Sequence, residues 1–128
     1  KMDDIIRISK DFRRANGLKE MAKERFNSIS ELKQPYRIVE EYYEIIKELL
    51  TAVSYSMGFK ILSHKNLIEF ISKETKLLDR IEISLIDELR IMRNSIVYYG
   101  EKTSREFIES RKEKIHSIIN KLLREKLE

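Results

Sequence analysis

Five residues stand out for the chemistry they could do: Arg90, Arg93, Asn94, Tyr98 and Tyr99, within Glu88-Leu-Arg-Ile-Met-Arg-Asn-Ser-Ile-Val-Tyr-Tyr-Gly100. At about 100° per residue, a helix puts Arg90, Asn94 and Tyr98 on one stripe, with Arg93 about 60° beside Arg90. Two guanidiniums, an amide and a phenol then gather near one helix end. Guanidinium forks match phosphate oxygens, and a tyrosine ring can stack on a base. The spacing therefore suits phosphate or nucleic-acid binding by Arg90, Arg93 and Tyr99. It also suits a structural reading, in which Arg90 and Arg93 pair with Asp87, Glu88 or a neighbouring helix.

Other constellations carry less. The two histidines are His64 and His116, and Glu113 with His116 makes an E-x-x-H spacing. Di-iron bundles need a second such copy and two more glutamates, but Ile61 stands three before His64. Glu113 and His116 are therefore expected as a helix-surface pair, and no metal or cofactor is expected. His64 follows Ser63, a plausible N-cap, and precedes the apolar pair Leu67-Ile68. A structural role is expected for it, with its polar edge bonded to a neighbour and its ring packed. The three glycines are scattered, so there is no phosphate-cradling loop. With no cysteine, disulfides, thiolate chemistry and cysteine-ligated zinc are excluded.

The elements that must position these residues read as helices throughout, because apolar residues recur at three and four. Strands are not expected. The breakers are Asn16-Gly17, Pro35, Gly58 and Gly100. A first helix over 3–15 presents Ile5, Ile8 and Phe12, with Asp3 and Asp4 at its start, and Asn16-Gly17 ends or kinks it. A second covers about 18–33. Pro35 opens the longest, which buries Val39, Tyr42, Tyr43, Ile46, Leu49, Leu50 and Val53 and closes at Gly58. After the connector Phe59–Leu62, a short helix carries Leu67, Ile68 and Ile71. A helix over about 76–99 buries Ile81, Leu85, Leu89, Met92 and Ile96 and ends at Gly100. Thr103 and Glu106 form a capping box for a last helix that packs Phe107, Ile108, Ile115, Ile118, Ile119 and Leu122. Short connections make this a single-domain, all-α antiparallel bundle of five to six helices.

Arg93-Asn94-Ser95-Ile96-Val97-Tyr98 resembles the R-x(4–6)-H motif of HEPN domains, which often begins Arg-Asn near the end of a long helix. Tyr42 through Leu50, Gly58-Phe59-Lys60 and Ser63-His64 through Leu67-Ile68 resemble that family's preceding helices, so the similarity spans about 36–100. The resemblance implies a homodimer that brings two motifs together, forming in active members a metal-independent endoribonuclease site. Many members are toxins of toxin–antitoxin pairs, often beside a minimal nucleotidyltransferase partner. Carried over, Arg93 matches the catalytic arginine and Asn94 its polar neighbour, while Tyr98 stands where the shortest motif places its histidine. The tyrosine that toxins carry two places later is Gly100 here. An unperturbed phenol is only about 0.1% ionised at neutral pH, and acid–base catalysis typically contributes about 10²–10⁴-fold. The expectation is an RNA- or nucleotide-associated module with weakened or lost cleavage. Its rivals are a toxin that still cuts, or a structural bundle that docks the nucleotidyltransferase.

Composition agrees with one domain. The 128 residues are 41% hydrophobic and 38% charged, enough for a core and a solvated exterior. The net charge of +4 leans basic, which suits nucleic acid but also an ordinary mixed surface. No apolar run approaches a membrane span; Met2 is expected as the natural start with Lys1 an addition, and no signal-peptide core is expected there. A cytoplasmic location is expected, and the Ile, Lys and Glu richness points to a thermophilic source.

Overall fold

The computed structural model describes residues 4–127. Their order is β1 (Ile5–Arg7), α1 (Phe12–Asn27), a 3-10 turn (Ile29–Glu31), α2 (Pro35–Met57), β2 (Phe59–Ile61), α3 (His64–Glu74), α4 (Arg80–Tyr99), α5 (Arg105–Glu109) and α6 (Lys112–Arg124). The chain is 74% helical, so the all-α bundle class holds.

The bundle is organised around α2. Pro35 stands at its first turn, where a missing N–H leaves nothing unpaired. Gly58 ends it at φ 89°, with its N–H shared between the Ser54 and Tyr55 carbonyls. A side chain there would be strained at that φ, and its Cβ would stand 3.0 Å from the Ile8 carbonyl oxygen. All seven core residues expected of this helix are buried, as are Ile45, Glu48, Ala52, Ser54, Tyr55 and Ser56. A helix buried nearly all round needs neighbours on every side. They are α1, α3, α4, α5, α6 and β2. Each fully buried Leu, Ile or Val contributes roughly 1.5–3 kcal/mol of transfer free energy.

The chain departs from the expected pattern in four places. Residues 5–7 form a strand, not a helix, and α1 begins only at Phe12. Ile5 and Ile6 are β-branched, and the segment pairs antiparallel with β2, Ile5 opposite Ile61 and Arg7 opposite Phe59. Asp4 lies just ahead of that strand, and Asp3, the other acid assigned to a helix start, lies outside the described residues. Asp11 caps α1, its carboxylate accepting from the Arg14 N–H at 2.9 Å.

The helix then passes straight through Asn16-Gly17 to Asn27. Ala15 and Ala22, fully buried, belong to this helix, the one most extensively packed on α2. A Cβ at Gly17 would meet nothing within 4 Å. Gly17→Ala should therefore raise stability by about 0.5–1 kcal/mol, read as a higher urea midpoint at unchanged slope.

The third departure concerns α4, which starts at Arg80 and not Lys76. Asp79 and Glu82 bond each other's backbone N–H groups at 2.8 and 2.9 Å, a capping box that stops the helix from reaching further back. Ile81, expected in the core, falls in that first turn and is 66% exposed, while Leu85 and Met92 are half-buried. Last, Ser104 rather than Thr103 caps the next helix, its Oγ accepting from the Phe107 N–H. The terminal helix expected as one piece is broken at Ser110-Arg111 into α5 and α6.

Candidate functional site

The site is built where the start of α3 meets the last two turns of α4. Ser63 caps α3 by accepting from the Asn66 N–H at 3.0 Å, and the next residue, His64, is turned against α4. There Arg93 Nη2 lies 2.9 Å from His64 Nδ1. A guanidinium can only donate, so Nδ1 accepts and the ring proton sits on Nε2. The guanidinium carbon also stands 5.0 Å over the ring of Tyr43, which is itself 5.7 Å from the His64 ring. Three helices thus fix one arginine: Tyr43 from α2, His64 from α3, and α4 that carries it.

Arg90, Arg93, Asn94 and Tyr98 line a shallow hollow of about 340 Å³, closed on the other side by Ser63, His64 and Lys65. The helical stripe read from spacing is therefore a real wall. Tyr99 is not part of it and is 82% exposed. Tyr98 stands at the rim, 68% exposed. The two arginines differ. Arg90 Nε bonds the Asp87 carboxylate at 2.9 Å, so its charge is largely answered within the helix. Arg93 has no carboxylate within ion-pair distance among the described residues, and its Nε is buried without a hydrogen-bond partner.

His64 is the residue that sequence reasoning placed outside the site. It does sit at the helix start as expected, half-buried. Its contact with Arg93 joins positions 29 apart, and only the pairing of α3 with α4 reveals it. Burial holds its pKa below the ordinary 6.5, and the positive charges of Lys47 and Arg93 press it lower, against Glu44. At neutral pH it is an uncharged ring offering Nε2–H as a donor. Burial likewise raises the Tyr43 phenol above its usual range, with Arg93 opposing that shift.

His116 is not the helix-surface residue that the E-x-x-H spacing suggested. It is half-buried, its Nε2 is 2.7 Å from the Tyr42 hydroxyl, and its ring meets Phe26 edge-on at 4.9 Å. Glu113 stays exposed. Burial pushes the Tyr42 phenol up to about 12, helped by Glu109, so it remains protonated where it shares its hydrogen bond with the ring. Burial also lowers the His116 pKa, with Lys112 adding to the effect.

Both histidines thus bind a proton less readily folded than unfolded. Their support is complete above about pH 6.5 and is lost as the pH falls through that value toward their folded pKa. The melting temperature should accordingly drop between about pH 7 and pH 5. In His116→Gln the drop should be smaller, and an equal drop would show that this ring takes no part.

Among the described residues, no group of three or more His, Asp or Glu stands close enough to share a metal ion. No described helix is long and apolar enough to cross a membrane. Comparison with family models, curated proteins and solved structures finds no match to this chain.

Proposed function

We propose that the hollow between α3 and α4 binds a phosphate of RNA or of a nucleotide, in a HEPN-like homodimeric module whose cleavage chemistry is weakened or lost. The observation that carries this reading is the state of Arg93: oriented by Tyr43 and His64, unanswered by any described carboxylate, with one buried N–H unpaired. A half-buried guanidinium that lines a hollow and has no carboxylate partner among the described residues is a reason to expect an anion. His64 Nε2–H and the Asn94 amide add neutral donors, and Lys65 adds charge at the edge.

Tyr98 stands where the resemblance calls for histidine, so the motif's imidazole is missing from the hollow's rim. Dimerisation draws support from the outer face of α4, where Ile91, Tyr98 and Tyr99 are 53%, 68% and 82% exposed. An isologous contact there would bring two Arg93 hollows together.

A second reading, residual endoribonuclease activity, is favoured by the 2.9 Å contact of Arg93 with His64. With Nδ1 occupied and the ring uncharged, His64 can donate a hydrogen bond from Nε2–H to charge developing on a phosphate or leaving oxygen. It can neither give that proton away, which would leave an imidazolate, nor take one from a hydroxyl, so acid and base would both have to come from elsewhere. Fluorescence anisotropy with a single-stranded RNA across a salt series tests binding, and light scattering tests the dimer. Cleavage lost in His64→Gln with binding retained would establish the second reading. Salt-independent or absent RNA binding would sink both.

A further inference from the structure

We propose that the arm formed by β1 and the start of α1 is a second phosphate-binding track, on which Arg7, Lys10 and Arg14 hold the backbone of a single-stranded RNA. The three cations form a ladder over consecutive parts of one neighbour. Arg7 lies 5.1 Å over the Phe59 ring and Arg14 lies 4.9 Å over the Tyr55 ring. Between them Lys10 runs beside Gly58, its Cγ 3.5 Å from where a Cβ there would stand. Backbone bonds hold the arm in place: Ile8 N–H to Gly58 O at 2.9 Å and Asp11 N–H to Tyr55 O at 3.0 Å. Arg13 and Lys60, both exposed, belong to the same two segments.

The charge here is concentrated. Residues 5–18 hold four cations and one carboxylate, a surplus of three in a chain whose total is +4. The one carboxylate, Asp11, is committed to capping α1 and reaches Arg14 Nε only at 3.9 Å. Arg7, Lys10, Arg13 and Lys60 have no carboxylate within ion-pair distance among the described residues.

A structural explanation exists, since α2 ends beneath this ladder and cations offset a helix C-terminus. That end is equivalent to only about half a negative charge, however, which a single cation answers. The surplus beyond that has no partner among the described residues.

A membrane surface fits less well than a polyanion in water. Of the large apolar side chains within 5–18 only Ile6 is exposed, and by just 41%, too little to seat the arm in a bilayer. Guanidiniums laid on aromatic rings keep their N–H edges outward for phosphate oxygens. They also cover those ring faces, so bases cannot stack there and the track reads backbone without sequence preference.

The arm is tied to the wall of the Arg93 hollow: just before β1, Asp4 O accepts from the N–H of Leu62, which lines the hollow, at 2.8 Å, and the Asp4 carboxylate accepts from Asn66 in the first turn of α3. Arg7 stands three positions along the chain from Asp4, about 10 Å at the usual rise. That the polyanion is RNA rests on the reading of the hollow; the existence of the track does not.

The test compares full-length wild type, Arg93→Ala, and an arm variant combining Arg7→Gln, Lys10→Gln, Arg13→Gln and Arg14→Gln. These arm positions are exposed, and an unchanged circular-dichroism melt confirms that the variant folds. The probes are a uridine oligonucleotide of about 20 residues, a uridine dinucleotide, and phosphatidylserine vesicles. In the arm variant the oligonucleotide affinity should fall at least about tenfold, and the slope of log affinity on log salt should flatten by about 0.7 for each phosphate no longer held. Dinucleotide affinity, set by the hollow, should change less than about twofold. Arg93→Ala should weaken both ligands. Unchanged oligonucleotide affinity and slope in the arm variant would overturn the proposal, as would loss confined to vesicles. No oligonucleotide binding by wild type would overturn the track and the hollow together. Loss in the arm variant with Arg93→Ala unaffected would leave the track standing and remove the hollow.

Discussion

Arg93→Ala should weaken binding of single-stranded RNA by about tenfold to a hundredfold at low salt. A hydrogen bond to a charged group contributes about 1.5–3 kcal/mol, and 1.4 kcal/mol is about tenfold. Three features place this residue near the upper part of that range. Its guanidinium is already oriented over Tyr43, so little side-chain freedom remains to be lost on binding. It is half-buried, where charge interactions are screened less than on the open surface. And it supports His64, which without Arg93 loses the donor that fixes its tautomer. The salt slope should flatten by about 0.7 when one phosphate is no longer neutralised. Arg93→Lys separates charge from geometry: it should keep most of the slope yet recover only part of the affinity, because an ammonium cannot form the fork. The His64 pKa should rise toward 6.5 in Arg93→Ala, since one of the charges depressing it is gone, and NMR titration of the ring reads this directly. Unchanged RNA affinity with an altered His64 titration would mean that Arg93 only positions the ring.

How far the site was legible in sequence follows from the distances involved. Arg90, Asn94 and Tyr98 share a wall because one helix at 3.6 residues per turn carries them, and helical periodicity is a local property. The long helices were legible for the same reason: Pro35, Gly58 and Gly100 mark ends that short-range sterics dictate. His64 was not legible as a neighbour of Arg93, since that contact needs the packing of α3 on α4.

The strand at Ile5–Arg7 was hidden likewise, because its partner is more than fifty residues away and three residues carry no period of their own. Local signals also competed with one another. Asn16-Gly17 reads as a stop, yet the apolar contact of Ala15 and Ala22 outweighs the roughly 1 kcal/mol that a mid-helix glycine costs. Thr103 and Ser104 are adjacent cap candidates, and a shift of one residue lay within the ordinary uncertainty of helix ends. Asp79 and Glu82 make as good a capping box as any in the chain, but the helical pattern from Lys76 onward masked it.

The largest effect on stability should come from the carboxylate inside α2. Glu48 is 6% exposed, and Arg25 of α1 is the cation that answers it, Nε to Oε1 at 3.2 Å. The two are out of line for a hydrogen bond, so the contact is ionic, and a second carboxylate, Glu41, holds the same guanidinium at 3.3 Å. Burial raises the Glu48 pKa and Arg25 opposes that rise. Arg25→Ala leaves the carboxylate buried and unanswered. Breaking a fully buried pair costs about 3–5 kcal/mol; with the Arg25 side chain 37% exposed, water recovers part, and about 2–3 kcal/mol is expected. For a domain of this size that is a fall of about 10 °C in melting temperature. Two controls isolate the cause. Adding Glu48→Leu to Arg25→Ala should restore most of the loss, because the uncompensated charge is gone and an apolar side chain fills its place among the α2 core residues. Acidification should do the same without a mutation. A carboxyl whose folded pKa is raised favours the fold below its unfolded pKa, and that support disappears as pH rises through the folded pKa. The deficit of Arg25→Ala against wild type should therefore shrink as the pH falls from 7 toward about 5. A deficit that is the same at both pH values, and unrelieved by Glu48→Leu, would locate the loss in the packing of the arginine stem on α2.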